Sequence, residues 1–160
     1  MIKINITAVG RLKEKYWRDS ASEYAKRLRP YCQFSVTELA EEKLPHNPSE
    51  TDIANIIFGE GKKILNALPK KSFVIALCVE GKMLSSESFA KKIEEIYQSA
   101  FGTVTFIIGG SYGLSPEVKQ AADLNLSVSK MTFPHQMVRI LLCEQIYRAF
   151  QILNNGKYHK

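Results

Sequence analysis

The sequence predicts an α/β domain built on a mostly parallel sheet flanked by helices, and three patterns predict it. Two runs, "SFVIALCV" (72–79) and "TVTFIIG" (103–109), are almost wholly apolar, as strands are when helices cover both faces of a parallel sheet. A third run, "IKINITAVG" (2–10), alternates Ile2, Ile4, Ile6 and Ala8 with Lys3, Asn5 and Thr7, the period of a strand with one buried face. Segments of helical spacing separate these runs, and such alternation builds layered α/β domains. At 160 residues the chain suits a single domain, 1–160, because one core can be assembled at this size.

Each element has its own warrant. After the first strand, residues 14–28 carry Trp17, Ala21, Tyr24, Ala25 and Leu28 at helical spacing and stop before Pro30, as a helix does ahead of a proline. "QFSVTEL" (33–39) is a second short strand, and the proline-bearing "AEEKLPHNPSE" is a surface loop. Ser49 with Asp52 three residues on forms a variant capping box. It opens a helix with Ile53, Ile56, Ile57, Ile64, Leu65 and Leu68 inward. Ser85 or Ser86 caps a helix over 87–99, and Ser115, Pro116 and Glu117 occupy the first positions of a helix over 116–122. "NLSVS" (125–129) is a fifth strand. A long helix, 135–154, follows Pro134 and bears a stripe of Val138, Leu141, Leu142, Ile146, Ala149, Phe150 and Leu153.

Composition excludes several classes. Hydrophobic content of 45% with 24% charged residues is that of a globular chain, not a disordered or fibrous one. No apolar run approaches the ~20 residues of a membrane span, and the first residues have neither an apolar h-region nor a cleavage site, so a cytoplasmic location is expected. Cys32, Cys78 and Cys143 are odd in number and widely spaced, the pattern of buried thiols rather than disulfides or zinc ligands. His46, His135 and His159 show no metal-ligand spacing either, so no metal is expected.

The net charge of +6 suits a polyanionic partner. Arg11, Lys13, Lys15, Arg18, Lys26, Arg27 and Arg29 crowd the N-terminal part, with Tyr16, Trp17 and Tyr24 among them. Glu38, Glu41, Glu42, Glu50, Asp52 and Glu60 reverse the sign over the next segment, and the tail is basic again. A solvated helix face accounts for one such run, whereas two basic zones on a small chain raise the prospect of nucleic acid.

The chemistry-bearing stretch is "FIIGGSYGLSPE" (106–117). A strand that runs through glycines into a helix start places free amides at the carboxyl edge of a parallel sheet, where ligands bind. A tight turn needing positive φ accounts for G-G-x-x-G equally well. No G-x-G-x-x-G follows the first strand and no G-x-x-x-x-G-K-[ST] is present, which excludes the familiar dinucleotide and P-loop designs. The ends of the strands 72–79, 103–109 and 125–129, namely "CVEGK", "GGSYG" and "SKMTFPHQ", fall at one edge of a parallel sheet and converge on one ligand site.

"AVGRLKEKYW", "EGKMLSSE", "FIIGGSYGL", "SKMTFPHQMVRILLCEQIYRAF" and the terminal "YHK" together resemble the small SPOUT-class methyltransferases that act on N3 of a pseudouridine in 23S ribosomal RNA. The likeness spans essentially the whole chain. It implies S-adenosylmethionine as methyl donor, a C-terminal trefoil knot, a homodimer whose site is completed by the partner's tail, and the assembled ribosome as substrate. Matched residue by residue, it implies Leu77, Gly109, Val128, Ser129, Lys130, Met131, Thr132 and Phe133 around the cofactor, with Gly81, Gly110 and Gly113 shaping the pocket. His159 becomes the candidate base for the N3 proton, since an unperturbed imidazole titrates near ~6.5. Arg139 is placed on a phosphate or the pyrimidine ring, Tyr158 against the base as a stacking platform, and His135 as a cap of the last helix. Lys160 stands where relatives often carry arginine, which keeps charge and loses the bidentate fork. With no appended RNA-binding domain in view, Arg11, Lys13, Lys15 and Arg18 are the expected phosphate contacts. A catalytically silent RNA-binding module with the same basic faces is the competing expectation, and a nucleotide-dependent enzyme of another kind is a third.

Overall fold

The computed structural model describes residues 1–159, so the expected role of Lys160 lies outside the described residues. Five strands, β1 (Ile2–Val9), β2 (Cys32–Leu39), β3 (Phe73–Met83), β4 (Thr103–Ile108) and β5 (Leu124–Ser127), form one sheet in the order β2-β1-β4-β3-β5. Every pairing is parallel. All five carboxyl ends therefore share one edge. Among the described residues there are also five helices: α1 (Lys15–Leu28), α2 (Glu50–Ala67), α3 (Ser86–Gln98), α4 (Pro116–Ala121) and α5 (His135–Leu153).

The helices make two unequal covers. On one face α1, α3 and α5 bring Leu28, Phe89, Ala90, Ile93, Ile96, Leu142, Ile146 and Phe150 against Ile4, Ile6, Ile75, Val104 and Phe106. On the other, α2 and α4 bring Ile64 and Val118 against Val9, Val74, Ala76 and Ile107. Sealing each such side chain from water contributes about 1.5–3 kcal/mol, which is why the apolar runs settle in the central strands.

The expected caps are present. Asp52 donates its backbone N–H to Ser49 Oγ at 3.1 Å while its carboxylate accepts from Ser49 N at 2.8 Å. Ser85 accepts from Ser88 N at 3.1 Å and Ser115 from Val118 N at 3.3 Å, so Ser85, not Ser86, caps α3.

Two expectations are corrected. Thr7 on β1 is fully buried rather than solvated, because α2 covers the second face and neighbouring polar groups tie the sheet together: Asn5 donates to Thr7, and Ser35 and Thr37 donate to Asn5. The strand expected to end at residue 79 continues to Met83. It does so across a register shift in which Leu126 opposes both Leu77 and Lys82. Residues 78–81 are thus a bulge inside β3, and Gly81 lets it lie against β5, since a Cβ there would sit 2.6 Å from the Leu126 carbonyl carbon.

Candidate active site

At the carboxyl edge, where β3, β4 and β5 end, the chain leaves a cavity of about 720 Å³, within the range of small-molecule sites. Three segments wall it: Leu77–Glu80 in the β3 bulge, Ile108–Leu114 after β4, and residues 126–135 after β5, with Phe133 and Pro134 leading into α5. The convergence of three loops at one edge is therefore real.

The tight-turn reading of the glycine loop is borne out. Gly113 has φ +83° and donates to Gly110 O at 3.1 Å, a tight turn in the region that favours glycine. The same turn forms a wall of the cavity. Gly109 is needed for a different reason: a Cβ on it would lie 2.7 Å from the Gly113 carbonyl oxygen, so a side chain there would force the turn to shift.

Of the eight residues expected around a cofactor, Leu77, Gly109, Val128, Ser129, Met131, Thr132 and Phe133 line the cavity and Lys130 does not. Lys130 is exposed beside it. The lining is mostly apolar side chains and main chain; its charged members, Glu80 and Lys119, are paired with each other. That pairing holds the Glu80 carboxyl below the usual carboxylate range. Such a donor set suits an organic ligand with a flat ring and polar edges, and does not suit a metal; no metal-ligating cluster occurs among the described residues. Met131 is 75% exposed, and Val79, Tyr112 and Val128 are also exposed around the mouth.

The remaining expected residues lie apart from one another. Arg139 is only 2% exposed. Its guanidinium donates to Glu38 Oε1 at 2.5 Å and to Gly10 O at 2.9 Å, clamping α5 to the ends of β1 and β2. Expected on a phosphate or the substrate ring, it faces the interior instead, because a buried guanidinium needs a carboxylate and Glu38 supplies one.

Tyr158 and His159 do not line this chain's cavity. The tail folds onto α3 and α5, where Tyr158 donates to Glu144 Oε1 at 3.2 Å and sits under the Arg148 guanidinium. His159 Nδ1 is 3.3 Å from Arg148 Nη1 and Nε2 is 2.8 Å from Glu87 Oε1. A guanidinium only donates, so Nδ1 accepts and Nε2–H donates to the carboxylate. Both ring nitrogens are engaged in this docked position. Glu87, bonded first by its own backbone N–H and next by His159, stays below the usual carboxylate range.

His135 differs. It lines the cavity, its Nε2 is buried with no partner, and burial, with help from Arg139 and Lys13 and against Glu41, pushes its pKa down. The expected cap of α5 is absent, since the position before the helix is Pro134 and no side chain caps it. Nearby, Lys13 N donates to Gln136 Oε1 at 2.9 Å, which holds the basic segment beside the start of α5. Arg11 and Lys13 are exposed there, whereas Arg18 is spent on Leu12 O and Lys13 O, and Lys15 on Asp19.

Sequence reasoning missed two residues. Glu60 is 6% exposed behind the glycine loop, where a Cβ on Gly110 would meet its carboxylate at 2.8 Å. Burial first, then Glu41 and Glu42, raises its pKa against the backbone bond from Glu42. A glutamate at position i+4 from Ile56 on an apolar helix face was the available signal. Cys78, expected to be buried, is half-buried and lines the cavity. Cys32 and Cys143 are buried as expected, their thiols pushed up to about 12 by desolvation.

Comparison with known proteins fits this geometry. A protein of Streptococcus pneumoniae named ribosomal RNA large subunit methyltransferase H is 46% identical over 159 residues, 99% of this chain and 100% of its own length. A Methanococcus maripaludis protein whose name also refers to methyltransferase H is 48% identical over the same shares. A solved structure described as a probable methylase family protein from Haemophilus influenzae superposes with a TM-score of 0.55 at 16% identity, covering 100% of this chain and 72% of that one; it supports the fold alone. The family model described as "Predicted SPOUT methyltransferase" matches residues 2–159. With its parallel sheet and three-loop cavity, the chain belongs to the SPOUT methyltransferase family.

Proposed function

We propose that the protein transfers a methyl group from S-adenosylmethionine to N3 of a pseudouridine in 23S ribosomal RNA, acting as a cytoplasmic homodimer on the assembled ribosome. The observation that carries the reading is the three-loop cavity: it has the size for the cofactor, and seven of the eight residues proposed for binding it line its walls. The names of full-length relatives support ribosomal RNA as substrate.

The cofactor fits the residues present. Leu77, Leu126 and Phe133 would offer apolar walls to its rings, and main-chain groups of 109–113, 128–129 and 131–133 would meet its polar edges. The sulfonium supplies an electrophilic methyl; displacement at that carbon is governed by alignment and by exclusion of water. The protein's part is to hold the acceptor nitrogen in line and dry. Gly109 and Gly113 keep the loop thin enough for a ligand to lie against the backbone. Arg139 acts as a positioning residue, fixing α5 and hence Phe133 to His135 at the cavity wall. No helix is long and apolar enough to cross a membrane among the described residues.

Two features support the homodimer. The mouth is ringed by exposed Val79, Tyr112, Val128 and Met131, which a second copy would cover. The tail is also docked away from its own cavity, so Tyr158 and His159 serve the partner's site, Tyr158 stacking on the base and His159 orienting it. Arg11 and Lys13 hold RNA phosphates beside the mouth. The C-terminal trefoil knot implied by the resemblance is part of the same proposal.

The test is complementation. A chain lacking 158–160 and a Gly109→Val chain are each expected to be inactive on ribosomes with labelled S-adenosylmethionine, and mixing them is expected to restore up to about a quarter of the activity, the share set by random pairing. No rescue in a mixture shown to form heterodimers contradicts the composite site. Binding of S-adenosylmethionine with no methyl transfer to any ribosomal RNA favours the silent RNA-binding module.

A further inference from the structure

We infer that His135, at the first turn of α5, is the group that takes the N3 proton during methyl transfer, a catalytic role that rests on the methyl-transfer reading above. The two histidines near the functional regions differ in one decisive respect. His159 has both ring nitrogens engaged, by Arg148 and Glu87. His135 has a buried Nε2 with no partner, in a ring that lines the cavity. Buried polar atoms are almost always satisfied, and an unpartnered ring nitrogen on a residue of the cavity wall points to a partner met when bound substrate turns the ring toward the cavity. An imide N–H is such a partner, and hydrogen bonds of this kind commonly close only when substrate is bound.

The surroundings keep this ring neutral and ready. Burial disfavours the imidazolium, and Arg139 on the same helix and Lys13 on the segment packed against it act in the same direction. The positive end of the α5 dipole adds to them. A single group opposes, the Glu41 carboxylate from the loop after β2. The free protein therefore presents an unprotonated base near neutral pH, and Glu41 is the counter-charge for the imidazolium formed in the reaction.

The step balances. N3 forms its bond to the methyl carbon as the carbon–sulfur bond breaks, and that electron pair stays on sulfur as a thioether. The N3 proton passes to the His135 ring, whose imidazolium returns it to solvent after the product leaves. No oxidant, reductant or metal is required.

The test pairs a variant with a titration. His135→Gln is expected to bind S-adenosylmethionine within about threefold of wild type by calorimetry, because the change leaves the glycine loop untouched. Its single-turnover rate on saturating ribosomes is expected to fall about 100- to 10,000-fold. The residual rate should climb with pH as the imide ionises by itself, where wild type levels off. His159→Gln should keep the wild-type shape of that profile. Independently of turnover, the C2 proton of His135 in the wild-type NMR spectrum should titrate below the ordinary ~6.5. A His135→Gln rate within tenfold of wild type, an unchanged pH profile, or a His135 titration at or above the ordinary value overturns the assignment. Failure of wild type to bind S-adenosylmethionine defeats the methyl-transfer reading instead, so the two failures are distinguishable.

Discussion

The cavity end of the molecule and its tail end use polar groups in opposite ways. Toward the cavity end, His135 Nε2 in the cavity wall, and Asn125 Oδ1 and Arg139 Nε away from it, are buried without partners, and Glu60 is buried with one long contact from Glu42 N at 3.4 Å. At the tail, Glu87, Glu144, Arg148, Tyr158 and His159 are accessible to solvent to some degree, yet each is bonded to another of the set. Water would have served the tail groups, so their bonds contribute little to stability and mainly specify a position. No water serves the buried groups, so their unmet demand is a cost retained in the folded state. The difference separates buried polar groups, which the fold alone leaves unmet, from exposed ones that bond to each other, and of the unmet groups only His135 lines the cavity.

The largest effect should come from the cavity. Gly109→Val places a branched side chain where a single carbon already meets the Gly113 carbonyl, and S-adenosylmethionine affinity measured by calorimetry is expected to fall more than about 100-fold, near 3 kcal/mol. Retained affinity would mean that the loop is a turn and nothing more. Next comes the contrast between two arginines of α5. Arg139→Ala removes the partner of Glu38 and Gly10 O from the interior and should cost about 3 kcal/mol in urea unfolding. Arg148→Ala, at the tail, should cost about 1 kcal/mol or less. Equal losses would erase the distinction between the two ends.

The smallest effect is a pH dependence. Folding raises the pKa of Glu60, so its contribution is fully present below the unfolded value, about 4.3, and is lost as pH rises through the folded one. Glu60→Gln should therefore melt with wild type near pH 4 and a few degrees above it at pH 7 to 8. A gap that narrows as pH rises contradicts the sign.

Much of this was legible in the sequence, for physical reasons that can be named. The runs at 72–79 and 103–109 read correctly because a strand covered on both faces must be apolar throughout. Ser49, Ser85 and Ser115 read correctly because capping is a local event within four residues. The convergence of three loops followed from the parallel sheet alone. What escaped was non-local. Arg139 turns inward because Glu38, 101 residues earlier, lies beside it, and no spacing rule connects them. The β3 bulge depends on how closely β5 approaches Gly81. Thr7, placed on a solvated face by its alternation, is buried because α2 covers that face as well. The candidate cofactor residues were found through resemblance, and Lys130 is the one that the cavity leaves outside.

The most direct test of the central claim is a backbone amide NMR titration of the protein with S-adenosylmethionine. Saturable shifts should concentrate at Leu77–Glu80, Ile108–Leu114 and Ser127–His135, with the amides of α1 and α2 left in place. Shifts confined to another face, or none at millimolar ligand, would contradict the account.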